Sequence, residues 1–447
     1  MFKVTAEVEG AEKKARDNDL IIAEGKTKLV SLKEVGDTSG DVYVISKDVI
    51  TAGDGAKRDW LNGKAALANQ TTCNVFRLLK QCGGIPLAFI RQVNETTFEA
   101  KLCTMLPYEV VVRREAHGSC LKRMPMLTKG YIFQKLVVEY FLKTSERRWK
   151  EHVLPCDDPL MVNIDGKIAL YEPSKPVYEQ KPFLVLRPDE VFDHDEDEKL
   201  FRVMSIIAKK VFFILEKAWQ IEGARLVDFK VEFGLAQGEL VLADVIDNDS
   251  WRVVEDEAYI DKQLYRDGGN LKDVAEKYRR VAEITGRFRL PKQQIIIWCG
   301  SSNDNTMPIK EALLELCEGE IGEYLNLTDV ICSMHKEPVR GLNELSAHVQ
   351  RIPDTVVIAC VGGSNGAGPT LSASAAVPVI TVPLGYREFP EDVWSSLRTP
   401  SGVSVMTVLE LSNAAIAAIG ILALRNPHLY MLLRVQIESR LINTIPM

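Results

Sequence analysis

Long apolar runs are missing from this chain. The longest, Ala414 to Leu424, is too short to span a bilayer, and the amino-terminal stretch MFKVTAEVEGAEKKARDND has no apolar segment of signal-peptide length. No membrane association and a cytoplasmic location are therefore expected. Excess positive charge is missing too: 55 Lys and Arg against 62 Asp and Glu leave a formal net charge of −7. That balance argues against bulk affinity for nucleic acid, although a local basic pocket is compatible with it. The nine cysteines (73, 82, 103, 120, 156, 299, 317, 332 and 360) include no close pair at zinc spacing. Several lie inside apolar strand-like runs, as buried free thiols of a reducing compartment do. Neither a Walker loop nor a kinase catalytic loop occurs, and no internal repeat is evident. An apolar fraction of 46% and a charged fraction of 26% exclude wholesale disorder. At 447 residues the chain exceeds one ordinary core, so two or three domains are expected.

Residues 20–115 alternate strand-like runs (LIIAEG, VYVIS, LAFIRQV, EVVVRR) with one strong helical segment near 63–83. Residues 127–200 mix charge and proline and end in an acidic run, Asp189 to Glu198, which reads as a solvated loop or helix face. A helix near 198–218 precedes a hairpin-like pair, LVDFKVEFG and LVLADVIDND, around the turn residues Gln237 and Gly238. Residues 267–291, with Gly268, Gly269, a helical run and Pro291, form the best linker candidate. From 293 onward strand and helix alternate regularly, the pattern of a doubly wound parallel sheet.

Three strands of that sheet end in polar clusters. VVIACVGGSNGAGP (356–369) closes on Gly362, Gly363, Ser364, Asn365, Gly366 and Gly368. QQIIIWCG (293–300) delivers Ser301, Ser302, Asn303 and Asp304, and DVICSMHKEP (329–338) delivers Ser333, His335 and Lys336. Ligands of open α/β sheets bind at carboxyl strand ends, so the three clusters point to one site. His335 suits proton transfer near neutral pH and Lys336 suits a carboxylate. Backbone N–H groups of the glycine loop suit a phosphate.

In the amino-terminal half, Glu24-Gly25-Lys26-Thr27-Lys28 follows an apolar run; glycine permits a tight turn and the lysines can neutralise nucleotide phosphates. Asp228, Lys230 and Glu232 alternate with apolar residues and share one strand face. With a connection over 235–239, Asp244 falls opposite Glu232, and two facing carboxylates suit Mg²⁺ with phosphate oxygens; a solvated face of paired charges is the equal alternative. Lys262 and Arg266 add two cations nearby. Arg113, Arg114, Ser119, Lys122 and Arg123 cluster around Gly118, a composition suited to a sugar phosphate.

EGKTK (24–28), SKDVITAGDGAKRD (46–59), LVDFKVEFG (226–234), LADVIDNDSWR (242–252) and DKQLYRD (261–267) resemble the SAICAR synthetase family. GSSND (300–304), SMHKEP (333–338), GGSNGAGP (362–369) and DVWSSLRTPSG (392–402) resemble animal-type AIR carboxylase. Their order is similar to that of the animal family in which the two enzymes are fused. The resemblance implies an α+β synthetase-like ATP-binding domain (1–266), a linker with helix (267–291) and an α/β carboxylase-like domain with a doubly wound parallel sheet (292–447). It implies two reactions of purine biosynthesis. Carbon dioxide adds to aminoimidazole ribonucleotide (AIR) without biotin or ATP, giving CAIR; ATP then drives ligation of CAIR with L-aspartate to SAICAR. In the carboxylase half it implies that His335 handles the ring proton and Lys336 sits near the new carboxylate. Ser301, Asp304, Ser333, Ser364, Asn365 and Gly366 hold the ribonucleotide. In the synthetase half it implies that Glu24, Gly25, Lys26 and Lys28 bind ATP and that Glu232 and Asp244 hold Mg²⁺. Ser119, Arg123, Lys262 and Arg266 bind the nucleotide substrate, and the family assembles as a homo-octamer through its carboxylase domains.

Three departures from the family pattern support a second reading. Where the synthetases carry a segment near KDDANNDP, Lys143 is followed by TSERRWKEHVLPCDDP; Met334 and Glu337 alter the SAHKGP motif; and Gly363 stands where animal carboxylases have arginine. The second reading is a diverged paralog that keeps the fold and oligomer with one or both activities reduced or lost. A small-molecule kinase, a third reading, rests on the magnesium hairpin alone.

Overall fold

The computed structural model describes residues 14–16, 20–34, 36, 40–52, 56–191, 197–319, 324–362 and 366–441. The expected ligand residues Ser364 and Asn365, together with Gly363, lie outside the described residues, as does 192–196 of the acidic run. The chain divides into two compact units, residues 1–289 with 437–447, and residues 290–436.

The first unit is built on two antiparallel sheets. Strand order in the five-stranded sheet is Ile21–Glu24, Lys28–Leu32, Asp41–Ser46, Thr97–Lys101, Phe89–Gln92. The nine-stranded sheet runs Leu184–Leu186, Lys167–Tyr171, Leu160–Ile164, Ile132–Leu142, Thr104–Glu115, Arg225–Ala236, Trp251–Glu255, Ala258–Tyr259. Strand Glu239–Ala243 branches from the carboxyl half of Arg225–Ala236, whose amino half pairs with Trp251–Glu255. Helix Asp197–Ile221 covers this sheet because Met204, Ala208, Val211, Phe212, Leu215 and Trp219 recur at helical spacing and are all buried. Phe212 stacks edge-on to Phe229 at 5.4 Å and Trp219 to Trp251 at 5.3 Å. Burying each large apolar side chain contributes about 1.5–3 kcal/mol.

Helix Leu271–Thr285 starts at Asn270, whose side chain accepts the Asp273 N–H. Its stripe of Val274, Tyr278, Val281 and Ala282 is fully enclosed; Val274 and Tyr278 pack with Ile50, Leu61 and Tyr265. Asn74, from helix Lys64–Cys82, donates to the Ala282 carbonyl and to Thr285. This helical stretch of the connecting segment is thus packed into the first unit.

The second unit is a parallel sheet in the order Leu325–Ile331, Gln293–Cys299, Thr355–Val361, Val379–Pro383, Met406–Thr407. All seven residues of Gln293–Cys299 are buried, as a central strand covered on both faces requires. The chain leaves this strand to one side for Leu325–Ile331 and then crosses to the other for Thr355–Val361. That reversal opens a crevice at the carboxyl ends of the three strands that carry the polar clusters. Helix Leu411–Leu422 buries Ala414, Ala415 and Ala418 within the unit; small side chains there allow close approach.

Candidate functional site

In the second unit the three strand ends meet. After Gln293–Cys299, the N–H groups of Gly300 and Ser301 both donate to Asp304 Oδ2 at 2.9 Å, so Asp304 braces its own turn. A Cβ at Gly362 would lie 2.8 Å from Asp304 Oδ1, and one at Gly366 would lie 2.9 Å from His335 Nε2. A side chain at either position would have to push these tips aside, and the contacts set Gly362 beside Asp304 and Gly366 beside His335. The Ser333 carbonyl accepts the Lys336 and Glu337 N–H groups at 3.1 and 2.8 Å, a tight turn that leaves His335 and Lys336 exposed. The two departures nearby are absorbed locally. Met334 is buried with Trp298, Cys332 and Leu345 in the core, and Glu337 pairs with Arg340 at 2.9 Å.

The first unit holds a polar cavity of about 560 Å³. The turn Gly25–Lys28, the acids Glu232 and Asp244, and the cations Lys262 and Arg266 all line it, so residues separated by more than two hundred positions converge. An apolar pocket of about 500 Å³ adjoins it, sharing Gly25, Lys28, Glu232 and Asp244, and is walled by Glu24, Val30, Val44, Phe98 and Met105.

The hairpin register differs from the sequence expectation. Ala243, not Asp244, stands opposite Glu232. Gln237 and Gly238 both have positive φ (52° and 86°), a two-residue turn of the type that matches strand twist, and it shortens the assumed connection. Asp244 itself has φ 62°, which turns the chain out of the strand; it lines the same cavity as Glu232 all the same.

Charges in this cavity are paired. Lys143 Nζ reaches Glu232 at 2.6 Å, Lys230 reaches Glu109 at 2.6 Å, and Lys28 pairs with Asp244. Burial opposes ionisation of Glu232, but Lys230, Lys143 and Lys28 outweigh it and hold the carboxyl below its ordinary value. Burial lowers Lys28 to about 8, against the pull of Glu232 and Asp247. Glu24 takes hydrogen bonds from Arg16 and Lys47, which hold it at about 2. Asp249 pairs with Lys262 at 3.2 Å and with Lys64 at 3.7 Å, and accepts a hydrogen bond from the Tyr278 hydroxyl at 2.6 Å. Glu232 and Asp244 beside a lysine-bearing turn are a donor set that fits Mg²⁺ shared with phosphate oxygens. Among the described residues no cluster of three or more His, Cys, Asp or Glu side chains forms a metal cage, so such an ion would complete its shell from phosphate and water.

Ser119 and Arg123 lie outside this cavity's lining. Arg123 is buried, bonding Glu139 through Nε and Nη2 and the Pro173 carbonyl through Nη1. Arg113 joins Glu139 and Asp228, and Arg252 also bonds Asp228. The arginines of the basic cluster are therefore held in buried ion pairs, while Lys122 is exposed. Sequence reasoning missed Lys47, Lys64, Lys143 and Tyr278. Lys64 carried one readable signal, a lysine opening a helix beside the otherwise apolar AALA.

The SAICAR synthetase family model matches residues 21–155 and 186–285, and the AIR carboxylase family model matches 294–440. The probable multifunctional protein ADE2 of Caenorhabditis elegans is 36% identical over 435 residues, 93% of each chain. The bifunctional phosphoribosylaminoimidazole carboxylase/phosphoribosylaminoimidazole succinocarboxamide synthetase of Homo sapiens is 36% identical over 430 residues, 93% of this chain and 92% of that one. Among solved structures, phosphoribosylaminoimidazole-succinocarboxamide synthase from Ehrlichia chaffeensis aligns at 28% identity and TM-score 0.46, covering 59% of this chain and 98% of that one. The likeness runs through both halves of the chain, which supports the two-activity reading, and nothing in it favours the diverged paralog. This chain belongs to the bifunctional family that joins a SAICAR synthetase to an AIR carboxylase.

Proposed function

We propose that the two sites catalyse consecutive steps, carboxylation of AIR and ligation of the product with L-aspartate. The observation that carries the reading is the convergence of Lys26, Lys28, Glu232, Asp244, Lys262 and Arg266 on one cavity beside an apolar pocket. In the carboxylase site the ring carbon of AIR attacks CO₂, a C–C bond forms, and His335 takes the proton that the carbon gives up. The turn braced by Asp304 and the glycine loop hold the ribonucleotide, and Lys336 balances the new carboxylate. Ser364 and Asn365, which the family resemblance assigns to the same ribonucleotide, remain part of the proposed binding set.

In the synthetase site the adenine of ATP occupies the apolar pocket and its phosphates extend past Gly25 towards Lys26 and Lys28. When bound by Glu232 and Asp244, Mg²⁺ neutralises phosphate charge. A carboxylate oxygen of CAIR displaces ADP from the γ-phosphorus; L-aspartate, having given one ammonium proton to solvent, then attacks the acyl carbon through its amine, forming C–N as phosphate leaves with the C–O bonding pair and takes up the nitrogen's second proton. Lys262 and Arg266 hold the nucleotide substrate, and Lys262 is set for this by Asp249. Ser119 and Arg123 belong to that substrate's surroundings, Arg123 acting through the buried Glu139 network. Assembly as a homo-octamer is part of the proposal; exposed Ile416 and Leu424 on the carboxylase unit suit it, and light scattering on the purified protein reads it.

The test is to assay the half-reactions separately on the full chain. His335→Ala is expected to abolish carboxylation alone and Glu232→Ala ligation alone. Wild-type product no greater than that of the double variant would overturn the reading.

A further inference from the structure

Residues 143–159 form an excursion from the nine-stranded sheet. Strands Ile132–Leu142 and Leu160–Ile164 are antiparallel neighbours with Phe141 opposite Leu160, and the Leu142 N–H donates to the Pro159 carbonyl at 3.0 Å. Between them the chain runs out through a two-stranded ribbon, Arg148–Trp149 against His152–Val153, and returns. Thr144 and Asp158 stand at the neck of the excursion, and both line the synthetase cavity beside Lys143. The matched part of the synthetase family stops at residue 155 and resumes at 186, so it assigns nothing to Asp158.

The neck is clamped by reciprocal bonds. The Thr144 N–H donates to Asp158 Oδ1 at 3.0 Å, and the Asp158 N–H donates to Thr144 Oγ1 at 2.9 Å. The Thr144 hydroxyl in turn donates to Asp157 Oδ1 at 2.9 Å, an oxygen that also accepts the Arg147 N–H at 2.7 Å. Asp158 has φ 47°, a left-handed backbone that a non-glycine residue keeps only when its surroundings enforce it. The Thr144 hydroxyl thus makes two of the bonds that close an excursion whose length would otherwise let Asp158 wander, since ordering a flexible segment costs about 1–2 kcal/mol per residue.

We infer that Thr144 is a positioning residue for the ligase step, seating the Asp158 carboxylate where the ammonium group of the amino-acid acceptor arrives. The inference rests on the proposed ligase reading. Asp158 shares a cavity wall with Lys143, whose ammonium bonds Glu232, one of the two acids assigned to the metal and phosphates. The acceptor nitrogen has to reach the activated carboxyl formed at that place, and it arrives as a cation. A carboxylate fixed on the wall there recognises it; a mobile one gives up that advantage.

The experiment uses the full chain with CAIR, ATP and L-aspartate. Thr144→Val is expected to raise KM for L-aspartate about tenfold, with KM for ATP and the carboxylation rate within twofold of wild type. Thr144→Ser is expected to restore KM for L-aspartate to within twofold. Asp158→Asn should match Thr144→Val, and the double variant should be no worse than the weaker single one, because both act through one contact. A Thr144→Val enzyme with unchanged KM for L-aspartate, an equal rise in KM for ATP, failure of serine to rescue, or additive losses would each overturn the inference while leaving the ligase reading standing. A wild-type chain that carboxylates but does not ligate removes both.

Discussion

The two sites are held in shape by different means. The carboxylase site is made by backbone: three parallel strands end side by side, and Gly362 and Gly366 let their loops approach Asp304 and His335 without side chains between. The synthetase cavity is made by charge: lysines and carboxylates from both sheets of the first unit pair across it before any substrate arrives. Added bulk should therefore damage the first site, and altered charge or pH the second.

The largest effect should come from breaking charge where charge is the frame. Glu232→Ala leaves Lys143 and Lys230 without their shared carboxylate and removes a proposed metal ligand; ligation should fall about 10³-fold, equivalent to about 4 kcal/mol, with carboxylation within twofold. Separate steady-state assays of the half-reactions read this.

Next comes pH. Asp261 is buried and accepts the Val253 and Gln263 N–H groups, and burial raises it from 3.8 to about 6. A carboxyl raised on folding adds stability that is complete below its unfolded value and lost as pH rises through its folded value. The shift corresponds to at most about 3 kcal/mol. Asp261→Asn removes this dependence, so its stability deficit against wild type should shrink as pH rises from about 4 to 7. Urea unfolding followed by Trp fluorescence at the two ends of that window checks the sign.

Adding bulk tests the other half. Gly366→Ala places a methyl against the His335 imidazole, and carboxylation should fall about 10²-fold while ligation and unfolding midpoint hardly change. The smallest effect is expected from Tyr278→Phe, which deletes one hydrogen bond to Asp249 and should cost about 1–2 kcal/mol of stability. It should also raise KM for CAIR several-fold through Lys262. An equal loss of carboxylation would break the contrast between the sites.

This contrast also explains what could be read from the residues alone. Strand ends are local: an apolar run that stops at Gly300 or Gly362 announces both the strand and its loop, and Gly362 and Gly366 lie against Asp304 and His335. The alternation of Asp228, Lys230 and Glu232 was legible for the same reason. Pairing partners are not local. Nothing near Lys143 names Glu232, nothing near Asp249 names Lys64 or Tyr278, and Arg123 reads as an available cation until Glu139 is seen to bond it. The hairpin register was off by one because Gln237 adopts a left-handed conformation that its side chain does not advertise.

Helix Leu271–Thr285 has a practical consequence for taking the two enzymes apart. Cutting the chain after residue 266 would strip Val274 and Tyr278 from Ile50, Leu61 and Tyr265, and would leave an oily scar beside Lys64 and Asp249. A free-standing ligase therefore has to keep the chain at least to Arg289, and even that cut gives up residues 437–447, which belong to the same unit and whose Glu438 pairs with Arg114 at 3.1 Å.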